Sequence, residues 1–150
     1  MISCTEFIPA YSEGFKFIES IGGREDLENF WSFLSDTYLK DSLAKLVFKE
    51  GLEGCFTYWY QALNEEAADF RIVLDEINGE YRGTMFKCPS KGLLLSLGYM
   101  EPHPAYCDHC VALYRPVLNR FGYHYEKDIS KCNEATCSSL ITFEKQSSLK

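Results

Sequence analysis

An α+β domain is expected from this chain of 150 residues: a helical N-terminal half, then an antiparallel sheet of about four strands packed against helices. Three observations lead there. In the first half, apolar residues recur at spacings of three and four. After Ala67 the period becomes two, and Phe70, Ile72 and Leu74 alternate with Asp69, Arg71 and Val73. Asn78-Gly79 then stands between two such runs, a strong signal for a two-residue hairpin.

Each element can be argued from its residues. Thr5 is a candidate cap for a helix carrying Phe7, Ile8, Tyr11, Phe15 and Ile18, and Gly22-Gly23 should stop it. Leu27, Phe30, Trp31 and Leu34 define a second amphipathic stretch. Asp41 is the candidate cap of the next, with Leu43, Leu46 and Val47 inward. Gly51 and Gly54 loosen the succeeding segment, yet Cys55, Phe56, Trp59, Tyr60 and Leu63 still form one apolar stripe. Strands are expected over 68–77 and 80–87. A short helix with four leucines should span 90–98, and a longer one 104–121, closed by Gly122. A last pair of strands is expected near 123–129 and 136–143. The polar tail, 146–150, should fray.

Composition bounds the function. The length suits one domain with one core. Hydrophobic residues at 46% and aromatics at 15% exclude a disordered chain. A net charge of -7 argues against nucleic acid and anionic membranes, both of which select clustered Lys and Arg. No apolar run approaches the roughly 20 residues of a membrane span. Residues 1–11 lack the basic and apolar regions of a signal peptide, so a cytoplasmic location is expected. There the seven cysteines would serve as thiols, metal ligands or a redox pair rather than as a disulfide scaffold.

The chemistry concentrates in Pro102-His103-Pro104-Ala105-Tyr106-Cys107-Asp108-His109-Cys110. Pro104 suits the first position of a helix. Helical phase then puts His103, Cys107, Cys110, Tyr114, Val117, Leu118 and Phe121 on one face, Asp108 on the other, and His109 at the edge. Pro116 should kink this helix near Ala112. A thiol near a helix N-terminus is drawn toward thiolate, the nucleophilic and metal-binding form. Cys107 is therefore the candidate nucleophile, with Cys110 as its neighbour or resolving thiol and His103 or His109 moving protons. Cys88, at the end of a hairpin strand, Tyr106 beside the thiols, and Cys137 on the inner face of the last strand are candidates for binding a small-molecule substrate.

Two other readings stand beside this one. Cys88, His103, Cys107 and Cys110 would make a tetrahedral zinc or iron site in a noncatalytic metal-binding or sensor domain. Alternatively, the cysteines are small core hydrophobes. Cys4, Cys55 and Cys132 are expected in core or loop positions. Arg115 and His124 are expected at the surface.

Cys88-Pro89, the Tyr106-Cys107-Asp108-His109-Cys110 helix start, Pro116, Gly122 and the late strand with Cys137 together resemble the L-2-amino-thiazoline-4-carboxylic acid hydrolase-like family. The resemblance spans roughly residues 67–143. The opening Ile2-Ser3-Cys4-Thr5-Glu6-Phe7 is similar to proteins of anaerobic bacteria. The family implies hydrolysis of a cyclic C–N bond in a small sulfur-containing amino acid, en route to cysteine. The doubled cysteines at 107 and 110 depart from that pattern.

Overall fold

A computed structural model describes the backbone over residues 4–143 and side chains over residues 6–143. The polar tail expected to fray lies outside the described residues, as does the side chain of the candidate cap Thr5. The architecture is α+β: among the described residues, five α-helices and a four-stranded antiparallel sheet. In order come α1 (Cys4–Thr37), α2 (Leu43–Glu50), α3 (Leu52–Glu65), β1 (Asp69–Asp75), β2 (Glu80–Lys87), α4 (Pro89–Ser96), α5 (Asp108–Arg120), β3 (Tyr123–Asp128) and β4 (Cys137–Phe143). A turn of 3₁₀ helix, Cys132–Glu134, precedes β4.

The expected stop at Gly22-Gly23 is a sharp joint. Gly23 adopts φ 75°, ψ -171°, a conformation open to glycine, and helix resumes at once on its far side. Asp41 does not cap α2. Ser42 holds that position but its hydroxyl donates back to the Tyr38 carbonyl at 3.1 Å rather than capping the helix, and Asp41 instead pairs with Lys45 at 2.8 Å. The hairpin loop is four residues, 76–79, because Asp75 pairs with Glu80. Asp75 shapes it by accepting hydrogen bonds from the Asn78 backbone N–H at 3.0 Å and from Asn78 Nδ2 at 2.7 Å.

The largest departure is the start of α5. Residues 103–107 form hydrogen-bonded turns, Tyr106 N–H to the His103 carbonyl and Asp108 N–H to the Ala105 carbonyl, before helix begins at Asp108. His103 Nδ1 also accepts the Ala105 N–H at 3.1 Å. Pro104 therefore sits in a turn, four residues before the helix. Helix α5 then runs on to Arg120 with Pro116 inside it.

The strands lie in the order β1-β2-β4-β3. Helices α2, α3 and α5 cover one face, where Leu43, Val47, Cys55, Leu113, Val117 and Leu118 pack with Tyr81, Tyr125 and Ile141. The other face presents Arg71, Arg82, Thr84, His124 and Glu126 to solvent. A second apolar cluster joins Phe15, Leu27 and Trp31 of α1 to Leu94 and Tyr106. Helix α1 is fastened to α5 by Ser35, whose Oγ donates to the Leu113 carbonyl at 2.8 Å.

Candidate functional site: a thiol-lined cavity

Sheet register decides where the cavity lies. Leu74, Tyr81, Ile141 and Tyr125 stand side by side across the inner face and fill one row. Two residues along, the next row is Ile72, Gly83, Ser139 and Lys127. Its centre has no bulk. A Cβ on Gly83 would meet Ser139 Oγ at 2.7 Å and Tyr81 Oη at 3.2 Å. Above this thin row opens a cavity of about 220 Å³.

Five cysteines line it: Cys88 and Cys137 from the sheet side, Cys107 and Cys110 from the start of α5, and Cys132 from the 3₁₀ turn. All five are free thiols. Cys107 and Cys110 thus share the cavity side, as helical phase requires. Asp108 points away and meets Arg24 of α1 at 3.0 Å. Cys132, expected in a core or loop position, lines the cavity as well.

The later helix start changes the roles of the two α5 thiols. Cys107 occupies the N-cap position and Cys110 the first turn. Cys110 Sγ lies 3.7 Å from His109 Nε2. The other imidazole nitrogen, Nδ1, is bonded to the Tyr106 carbonyl oxygen, which can only accept. Nδ1 must therefore carry a proton, and Nε2 is the nitrogen left to take one from sulfur. The ring is held by Tyr11, Phe15 and Tyr106, with centroids 5.5, 5.5 and 4.8 Å away.

Electrostatics follow this geometry. Burial alone would push the Cys110 thiol up, but the His109 imidazole and the Lys127 ammonium outweigh it and hold Cys110 below the ordinary thiol range. Burial pulls the His109 imidazole down, and the adjacent Cys110 sulfur and the Tyr106 carbonyl more than restore it, so it rises. Both shifts favour thiolate beside imidazolium. Cys107 goes the other way: burial, then the negative charge at Cys110, push it up to about 12. Cys88, despite accepting the Lys91 N–H at the N-terminus of α4, is also raised by burial, as is Cys137.

The geometry favours Cys110 over the expected Cys107 as the thiolate. The physical reason is the imidazole beside Cys110 and the charge that a first thiolate imposes on its neighbour. His103 does not reach the cavity. It is 2% exposed and held on each side: its backbone N–H donates to Ser12 Oγ at 2.9 Å, its Nδ1 accepts the Ala105 N–H, and its Nε2 meets Glu19 Oε2 at 2.9 Å. Tyr106 does not line the cavity either. It is buried in the α1 cluster, where its backbone carbonyl rather than its phenol serves the site.

The metal reading, with Cys88, His103, Cys107 and Cys110, loses its histidine in this way. Among the described residues, no group of three or more His, Cys, Asp or Glu side chains is arranged to hold an ion.

Lys127 and Lys91 were not among the residues expected at the site. Both line the cavity, and neither forms an ion pair with a carboxylate among the described residues. Lys127 follows Tyr123 and Tyr125 in phase on β3, but a lysine on a strand is ordinarily at the surface, so phase alone did not single it out. Lys91 is 5% exposed, and nothing in its helix marked it as inward. Arg115 donates to the Tyr125 carbonyl at 3.2 Å, and exposed His124 meets Glu126 at 3.0 Å, so both lie apart from the cavity. No protein-family model, curated protein or solved structure matches this chain, and the reading of its site rests on its own residues.

Proposed function

We propose that this protein is a thiol-dependent hydrolase of a small molecule, with Cys110 as nucleophile and His109 as acid and base. One observation carries the reading: a thiol whose proton acceptor is within reach, oriented by a third group, inside a cavity of small-molecule size. The resemblance to the amino-thiazoline carboxylic acid hydrolase-like family supplies the substrate class, a cyclic C–N bond in a small amino acid. Lys127 and Lys91 suit the carboxylate of such a substrate.

The steps balance on these residues. Cys110 thiolate attacks the ring carbon bonded to nitrogen, and a C–S bond forms. In the 2-imino tautomer of the substrate the ring C–N bond is single; it breaks, and the N–H nitrogen takes a second proton from His109 Nε2 to leave as an amine. Neutral His109 then removes a proton from water as its oxygen attacks the same carbon. A C–O bond forms, the C–S bond breaks, and Cys110 leaves as thiolate beside imidazolium. The net change is addition of water across the C–N bond.

The test is incubation with L-2-amino-thiazoline-4-carboxylate, followed by quenching in acid and peptide mass spectrometry. Ring opening with a trapped adduct on Cys110, absent in Cys110→Ala and retained in Cys107→Ala, supports the proposal. Turnover that survives Cys110→Ala sinks the assignment of the nucleophile. Absence of both turnover and adduct sinks the substrate class.

A further inference from the structure

The proposed hydrolysis leaves Cys107 without a task, although it lines the same cavity as Cys110. Helix α5 fixes the relation between the two. Cys107 already has helical dihedrals, φ -75°, ψ -16°, and its carbonyl accepts the Cys110 N–H at 3.3 Å. One closed turn therefore separates them. In helical geometry, residues three apart have Cα atoms about 5 Å apart, within the roughly 4.4–6.8 Å that a disulfide spans. The turn is also held from outside the pair. Asp108 meets Arg24 at 3.0 Å, and His109 is bonded to the Tyr106 carbonyl. A bridge can close here without moving the backbone.

We propose that Cys107 and Cys110 are a dithiol that reduces small disulfides admitted to the cavity and closes into a disulfide of its own. The proposal rests on Cys110 as the thiolate, and not on hydrolysis. Cys110 thiolate attacks one sulfur of a disulfide R–S–S–R. A Cys110–S–R bond forms, the S–S bond breaks, and R–S⁻ leaves and takes the proton of the His109 imidazolium. Cys107 then attacks Cys110 Sγ and loses its own proton to the second departing R–S⁻. The protein gives up two electrons and two protons, and R–S–S–R becomes two R–SH. Closing the bridge also consumes the thiolate that hydrolysis would use, so the same step switches that reaction off.

Electrostatics order the two steps. Burial first, and then the negative charge at Cys110, keep Cys107 protonated. That charge disappears once Cys110 enters the mixed disulfide, and Cys107 becomes easier to ionise at the moment it must attack. The other cavity thiols are engaged elsewhere. Cys88 Sγ accepts the Lys91 N–H at 3.4 Å, and Cys132 Sγ donates to Asn133 Oδ1 at 4.0 Å. Cys137 stands on the sheet, in register with Met85 of β2. None of these three shares a turn with Cys110.

The test is stoichiometric. The reduced full chain, freed of reductant, is mixed with hydroxyethyl disulfide at neutral pH, quenched in acid, alkylated and mapped by mass spectrometry, with circular dichroism as a check on folding. This probe is small and uncharged, so its entry does not depend on Lys91 or Lys127. The wild type should lose two hydrogens within the peptide that holds Cys107 and Cys110, retain no hydroxyethylthio group and release two equivalents of mercaptoethanol. Dithiothreitol should then restore rapid alkylation of Cys110. In Cys107→Ser the reaction should stop at the mixed disulfide on Cys110, with one equivalent released. Cys132→Ser should close the bridge as the wild type does. A wild type that stops at the mixed disulfide overturns the pair and leaves the Cys110 thiolate standing. A bridge from Cys110 to Cys88, Cys132 or Cys137 overturns the pair as well. No reaction at Cys110 overturns both this proposal and the choice of Cys110 as nucleophile.

Discussion

Two neighbouring rows of one sheet face have opposite fates. Leu74, Tyr81, Ile141 and Tyr125 form a packed row, with Tyr81, Ile141 and Tyr125 at most 2% exposed. Ile72, Gly83, Ser139 and Lys127 lie one pleat repeat away and enclose a void. Backbone, twist and covering helices are shared. The difference is side-chain volume at two positions, Gly83 and Ser139, and charge at a third, Lys127. A thiol-lined pocket can thus be cut from a hydrophobic core without any change of fold, because strand register brings small residues together across the sheet.

The largest effect that would separate the two rows is expected at the thiol. Cys110→Ala should abolish the rapid phase of iodoacetamide modification at neutral pH, while Cys107→Ala leaves it intact. If Cys107 carries the fast phase, the reading of the cavity fails.

His109→Gln comes next. Under the proposed mechanism it removes the proton acceptor, and ring-opening turnover should fall by about 10²–10⁴-fold. The pH profile carries the sign. Thiolate is the reactive form, so alkylation of Cys110 should rise with pH through a midpoint near its depressed pKa of about 6 and level off by neutrality. In His109→Gln the midpoint should move up toward the ordinary thiol value of about 8.5. A midpoint that does not move would show that Lys127 alone holds the thiolate.

The rows themselves can be compared in urea. Ile141→Ala, in the filled row, should destabilise by about 2–5 kcal/mol. Ser139→Ala, two residues away on the same strand and at the void, should stay within about 0.5 kcal/mol. Equal losses would show that the second row is packed after all.

The smallest effect is expected from Gly83→Ala. The added methyl group meets Ser139 Oγ and narrows the floor. Reaction of Cys110 with a bulky aromatic disulfide should slow severalfold, and reaction with iodoacetamide should hardly change. A parallel slowing of both reagents would point to displacement of Cys110 rather than to a smaller cavity.

The local features of the fold were legible in advance, and the long-range ones were not. The pattern of three and four gave the helices, and the pattern of two gave four strands with Cys137 in phase with Ser139 and Ile141. The break at Gly22-Gly23 was marked by residues that only a joint favours. The start of α5 was misplaced because His103 is fixed by Ser12 and Glu19, 91 and 84 residues earlier in the chain. Local rules for Pro104 could not anticipate that tether. The same displacement puts Cys107 at the N-cap and Cys110 in the first turn of α5. The spacing of the two thiols was visible, but which of them meets His109 depends on where the helix begins. Lys127 was hidden for another reason. A lysine on a strand is ordinarily at the surface, and only the register with Ser139 turns it into the cavity.

The bond between His109 Nδ1 and the Tyr106 carbonyl has a consequence for how this site tolerates change. In many acid–base pairs a carboxylate or amide side chain orients the imidazole, and one nucleotide change can delete it. Here the orienting oxygen belongs to the peptide backbone, which every residue type supplies. Tyr106→Phe or Tyr106→Leu would retain it, provided the turn from His103 to Asp108 keeps its shape. The proton inventory of the site is therefore buffered against point mutation at position 106 and exposed to insertions and deletions in the turn. A library of substitutions at 106 should retain thiol reactivity wherever the chain folds, while a single added residue between Pro104 and Cys107 should extinguish it.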